Sequence, residues 1–208
     1  MPLDLSKINN IIFDLGGVIL NIDHEAPIRA FSQLGIPNFD ELYSKASQSA
    51  LFADLETGKI TPAEFRDSLR AYLPVELSDT KLNEAWNSII LDFPEAHIRL
   101  LEKLKSEKRT FLLSNTNIIH LEVIINRLHE HFGYTGLNGL LEKTYYSHEL
   151  GMRKPNQDIF KFVMEDANIS AEETLFIDDS MQHIETAKSC GLQTHHLKDG
   201  ESIIDLFK

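Results

Sequence analysis

The chain has 208 residues, 42% of them hydrophobic, a formal net charge of −12 and a single cysteine. That size suits one large globular domain, or one domain carrying an insertion, with a sizeable core. The acidic balance without basic runs argues against a nucleic-acid or anionic-membrane surface; no apolar run approaches the ~20 residues of a membrane span; and Cys190 alone excludes internal disulfides and fits a reducing cytoplasm.

Pro2 to Asn10 is polar with no apolar core, which predicts no signal peptide. Ile11-Ile12-Phe13 then ends abruptly in Asp14 and the pair Gly16-Gly17. This predicts a short buried strand that delivers Asp14 into a flexible turn. From Ile22 to about Leu91 the signals are helical. Asp23 is placed to cap a helix that Gly35 ends, and Asp40 a second with Leu42, Ala46, Ala50 and Ala53 at helical spacing, closed by Gly58. Thr61-Pro62-Ala63-Glu64 predicts a third start with a capping box, and Pro74 follows that helix. Ser78 or Asp79 opens a fourth, with Leu82, Ala85 or Trp86, and Ile89 on one face. From Pro94 helices and strands alternate: a helix over Glu95–Lys105, a strand at Phe111-Leu112-Leu113, a helix over about Ile118–His129, and a short strand at Thr144–Tyr146. Then come a helix over about Asn156–Ala167, a strand at Leu175-Phe176-Ile177, a helix over about Met181–Cys190, a weak strand at Gln193–His195 and a final short helix. Repeated βα units predict a three-layer α/β core with a parallel sheet. The core is expected to comprise residues 1–21 and 92–208, with a four-helix cap at 22–91 that rejoins the sheet near Asp14 and can cover its rim.

Ligands of open parallel sheets bind beyond the carboxyl ends of the strands. If the three strong strands are neighbours, Asp14, Ser114, Asp178 and Asp179 meet at one rim. Three carboxylates there would repel and raise one another's pKa values. A hard divalent cation such as Mg²⁺ resolves this, and carbonyls of the loop after Asp14 offer further oxygen ligands. Ser114-Asn115, where a strand turns toward a helix, can hold an anion. Lys154 supplies a cation, in a Gly151-Met152-Arg153-Lys154-Pro155 loop set by a proline expected to start the next helix. Together these make a phosphate site with a carboxylate in line to attack, for which an aspartyl phosphate is an established covalent route.

Asp14 in FDLGGVIL, Ser114 in LLSN, Lys154 in GMRKP and Asp178-Asp179 in FIDDS resemble, in order and spacing, the four motifs of the haloacid dehalogenase-like (HAD) superfamily. The helical insertion resembles its C1 cap, and the FDLG first motif is similar to that of the α-glucose-1-phosphatase type. The resemblance implies a Rossmann-like core and a Mg²⁺-dependent phosphomonoester hydrolase acting on a small phosphorylated metabolite, such as a sugar phosphate. It implies that Asp14 is the nucleophile, that Ser114 and Asn115 bind substrate, and that Lys154 neutralises nucleophile and phosphate. It further implies that Asp14, the Gly16 carbonyl, Asp178 and Asp179 hold the metal. Gly16 departs from the pattern: most family phosphatases carry a general acid/base Asp there, an assistance typically worth ~10²–10⁴-fold. A cap side chain or Asp23, just downstream, is a candidate to replace it. His183, where many relatives have Asn, is a second departure.

Two other readings stay open: a haloacid dehalogenase, which needs no metal, and a phosphometabolite-binding protein with little turnover. His129, His131, His195 and His196 lack metal-ligand spacing and read as ordinary surface histidines. Phe52, Phe65, Tyr72 and Trp86 read as cap core rather than a substrate box, and Cys190 as a small packed residue.

Overall fold

The computed structural model describes residues 4–36, 39–41, 50–73 and 76–208. Five parallel strands form one sheet in the order β3-β2-β1-β4-β5. They are β1 (Asn10–Phe13), β2 (Arg109–Ser114), β3 (Lys143–Tyr146), β4 (Thr174–Asp178) and β5 (Gln193–His196). The central strands are apolar on both faces because helices cover both. Ile11, Phe13, Leu112 and Ile177 face one side, against α5 (Glu95–Glu107) and α6 (Ile118–Phe132). Ile12, Phe111, Leu113 and Phe176 face the other, against α8 (Gln157–Asp166) and α9 (Met181–Ser189). The period of two along each strand thus feeds two separate cores. Phe13 pairs with both Leu112 and Ile177, so Asp14 and Asp178 stand level at the carboxyl rim, with Ser114 one step beyond.

Residues 21–23 and 89–92 leave and rejoin this core side by side. The Asn21 N–H donates to the Asp92 carbonyl, the Leu91 N–H to Asn21 and the Asp23 N–H to Ile89. Arg127 of α6 braces the returning chain, donating to the Ile90 carbonyl at 2.6 Å and to that of Leu91. Between them lie α1 (Ala26–Gln33), α2 (Leu51–Glu56), α3 (Pro62–Arg70) and α4 (Asp79–Asn87). Phe31, Phe52, Leu55, Phe65, Leu82 and Trp86 give this segment its own apolar cluster, which Ile119 of α6 joins. Each such large side chain, fully buried, is worth roughly 1.5–3 kcal/mol.

The α3 capping box forms as expected, Thr61 and Glu64 satisfying each other's backbone N–H, and Ser78 caps α4. Asp23 does not cap α1. Glu25 holds the N-cap position, and the Asp23 carboxylate accepts from the Glu25 N–H and pairs with Arg29. The helix expected from Asp40 to Gly58 does not run unbroken: Ala50 is left-handed, with φ 63°, and α2 starts after it. Leu42, Ala46 and Pro74 lie outside the described residues. Pro155 stands two residues ahead of α8 rather than at its first position, because Asn156 takes the N-cap. A four-residue helix, α7 (Ser147–Leu150), follows β3 and was not legible in the sequence, being too short for a periodic pattern. The chain closes with α10 (Ile203–Leu206). No helix among the described residues is long and apolar enough to cross a membrane.

Candidate active site

Asp14 continues the β1 ladder by one step, its N–H donating to the Ile177 carbonyl at 2.9 Å. The chain then folds back on itself, with the Ile19 and Leu20 N–H groups both donating to the Leu15 carbonyl. Gly17 in this turn has φ +73°, and a Cβ there would lie 2.3 Å from Asp179 Oδ2. Glycine therefore serves both the left-handed backbone and the close approach of Asp179.

β4 delivers Asp178 fully buried. Its Oδ1 accepts from the Ser180 N–H at 2.8 Å, and His183 Nδ1 lies 3.0 and 3.1 Å from its two oxygens. Asp179 is exposed at the rim, and its carbonyl accepts from His196 Nε2 at 2.9 Å. His196 thus braces the turn and is not merely a surface residue.

Lys154 is also fully buried, its Nζ 2.8 Å from Asp14 Oδ1 and 2.6 Å from Asp178 Oδ2. Asn115 aims it: the side-chain carbonyl accepts the Lys154 N–H at 2.9 Å, and the amide donates to the Lys154 carbonyl at 2.8 Å. The Asn115 side chain therefore positions the lysine. Burial pulls against the charged ammonium, but Asp14 and Asp178 outweigh that and hold it above the ordinary lysine range. Burial pushes the Asp14 carboxyl up to about 6, against the pull of Lys154. Burial acts on Asp178 too, but there Lys154 and His183 prevail and hold it below the usual carboxylate range.

Asp14, Asp178 and Asp179 each offer an oxygen within 4.8 Å of the others. Three carboxylates against one ammonium leave two uncompensated negative charges at the rim. All the donors are hard oxygens, the set that suits Mg²⁺. The residues present thus fit a divalent cation.

Ser114 ends β2, 3% exposed, and the following loop is braced from below by α7. Ser147 Oγ accepts the Thr116 N–H and donates to the Thr116 carbonyl, both at 3.0 Å. A cavity of about 510 Å³ lies above this rim. Asp14, Gly16, Ser114, Asn115, Lys154 and Asp179 all line it, so the residues expected from sequence converge, with Asp178 directly beneath. Asp23 does not line it, and Arg29 holds its carboxyl below the usual range, so it is no proton donor. The opposite wall carries Trp86, Ile89 and Ile90. Trp86 is core, as expected, stacking on Phe52 at 5.1 Å, but it is cavity wall as well. Glu56, Arg153, His24 and His120 also face the cavity and were not anticipated. Helical periodicity marks Glu56 only as polar, and a lone Arg beside Lys154 reads as solvated.

Comparison with known proteins agrees with this geometry. The chain is 35% identical over 198 residues, 93% of each protein, to a D-ribitol-5-phosphate phosphatase of Bacteroides thetaiotaomicron. A solved HAD-family enzyme of the same organism, in complex with magnesium and inorganic phosphate, superposes with a TM-score of 0.89 at 39% identity, covering 97% of this chain and 100% of that one. A HAD-like hydrolase of Porphyromonas gingivalis follows at 0.86 and 33%, covering 97% and 96%. These relatives do not carry the narrower α-glucose-1-phosphatase resemblance. The family signature itself matches residues 8–191, and the chain belongs to the haloacid dehalogenase-like hydrolases.

Proposed function

We propose that this enzyme hydrolyses the phosphomonoester of a small polyol or sugar through an aspartyl phosphate on Asp14. The observation that carries the reading is the buried Lys154 bridging Asp14 and Asp178 beneath a trio of carboxylates. Such a clamp suits a nucleophile that must approach a phosphate dianion. Asp14 attacks phosphorus, the alcohol departs, and water then cleaves the aspartyl phosphate. Ser114 binds the phosphoryl group, and Lys154 offsets the charge that Asp14 and phosphate bring together. Asp14, Asp178, Asp179 and the Gly16 carbonyl would hold Mg²⁺, which supplies the remaining positive charge. Residues 22–91 act as the cap over a core of 1–21 and 92–208, a division supported by the paired linkers at 21–23 and 89–92. Cys190, the single cysteine, fits work in the cytoplasm.

The relative's ribitol 5-phosphate sets the first substrate to try. A panel of sugar and polyol phosphates, with Mg²⁺ and with EDTA, tests the reading. Phosphate release from at least one ester, abolished by EDTA and restored by Mg²⁺, is expected. Metal-independent release of halide from a 2-haloacid would favour the dehalogenase reading instead. Calorimetric binding of an ester without phosphate release would favour a non-catalytic binder.

A further inference from the structure

The position that usually holds the family's acid/base is not merely vacated. A Cβ built on Gly16 meets Ile22 Cδ1 at 3.2 Å and Cγ2 at 3.4 Å, so an apolar side chain from the departing linker occupies that direction. The proton for the leaving alcohol must come from another wall. Resting on the phosphatase reading, we propose that Glu56, at the end of α2, is the general acid of this enzyme.

Glu56 is the one acidic residue lining the cavity, among the described residues, that lies outside the aspartate trio. Arg153 Nη2 lies 3.0 Å from its Oε2. The turn that follows α2 is docked against the core. Two residues on, Gly58 has φ +65°, and a Cβ there would sit 2.3 Å from the His148 carbonyl oxygen. The turn after Glu56 is thus pressed against α7, the element that also braces the Ser114 loop. Burial pushes the Glu56 carboxyl up, against the charges of Arg153, His183 and Lys154, and a bound phosphate dianion would push it further.

The other titratable groups of the cavity are committed or unsuited. Lys154 bridges two carboxylates, and His183 Nδ1 faces Asp178. Burial holds His120 down to about 4, so it carries no second proton near neutrality. His24 is exposed. In the first half-reaction the Asp14–P bond forms as the P–O bond to the alcohol breaks. The Glu56 proton passes to that ester oxygen, and the alcohol leaves neutral. In the second, the Glu56 carboxylate takes a proton from the water whose oxygen attacks phosphorus, and Asp14 leaves as carboxylate.

A leaving-group contrast tests this. A basic alkoxide needs the proton, whereas 4-nitrophenolate leaves without it. The measure is kcat/KM, which covers the steps up to departure of the alcohol. Glu56→Gln, isosteric and still able to face Arg153, is expected to lower kcat/KM about 10²-fold or more on the best alkyl phosphate of the panel. On 4-nitrophenyl phosphate the loss is expected to be at least about tenfold smaller, and circular dichroism reports the fold. Glu56→Asp, which keeps the acid, recovers part of the alkyl activity. Equal losses on both esters, no loss on either, or the contrast appearing in His24→Gln instead would overturn the assignment. A wild type that cleaves neither ester would defeat the phosphatase reading beneath it.

Discussion

On the sheet side of the cavity the carboxylates and Ser114 sit at or just past strand ends, Lys154 comes from the loop after α7, and neighbours tie each down. Asp14 extends β1, Asp178 ends β4, Ser114 ends β2, and the Asn115 amide clamps Lys154. On the helical side, Trp86 and Ile89 make an apolar wall that carries Glu56, with His120 of α6 stacked against Trp86. The first wall is preorganised for one charge pattern, since strand ends and buried ion pairs have few alternatives. The second is joined by two linkers and docked at a glycine turn, so it shapes what surrounds the phosphate rather than the phosphate site itself.

Substitutions on the two walls should fail differently. Asp14→Asn is expected to drop phosphate release about 10⁴-fold or more, to background, while the folded protein persists in a thermal melt. Lys154→Met strips Asp14 of its buried cation and leaves Asp178 with His183 and the Ser180 N–H alone. It should cost the metal-free protein about 3–5 kcal/mol in urea unfolding, with part of the loss recovered when Mg²⁺ is added. A change near zero would show that the clamp is not a stabilising pair.

The helical wall predicts smaller effects. Gly58→Ala forces both a left-handed alanine and a clash with the His148 carbonyl. A destabilisation of about 2–3 kcal/mol is expected, with a loss of at least about tenfold in kcat/KM on alkyl phosphates as Glu56 is displaced. Wild-type kinetics in this variant would dissociate the docking turn from catalysis.

The smallest effect is a pH dependence at His120. Burial holds its imidazole at about 4, below the ordinary 6.5. The folded state therefore binds this proton more weakly than the unfolded chain. The resulting stability is present above pH 6.5 and is lost as pH falls toward 4. Discounted for the open cavity beside it, the loss is about 1–2 kcal/mol. His120→Gln should flatten the acid limb of the stability curve by that amount, and an unchanged limb would show that the ring is not held neutral.

Legible in the sequence were the strands and the candidate phosphate-side residues, whereas the order of the strands in the sheet was not. Asp14, Ser114 and Asp178 each follow a short apolar run, and a parallel sheet with one rim leaves little choice about where such residues meet. Lys154 was legible as a cation beside a proline, but not as a buried one, because only Asn115, 39 positions away, aims it inward. Tertiary structure alone decided the cap side. A helix of period 3.6 shows which positions are polar but not which cavity they face, so Glu56 was invisible, as was His120 across from it on α6, Asp23 looked available, and Trp86 read as core alone. That Ile22 fills the space beside Gly16 likewise depends on a turn and a linker folding together, and no local pattern encodes that contact.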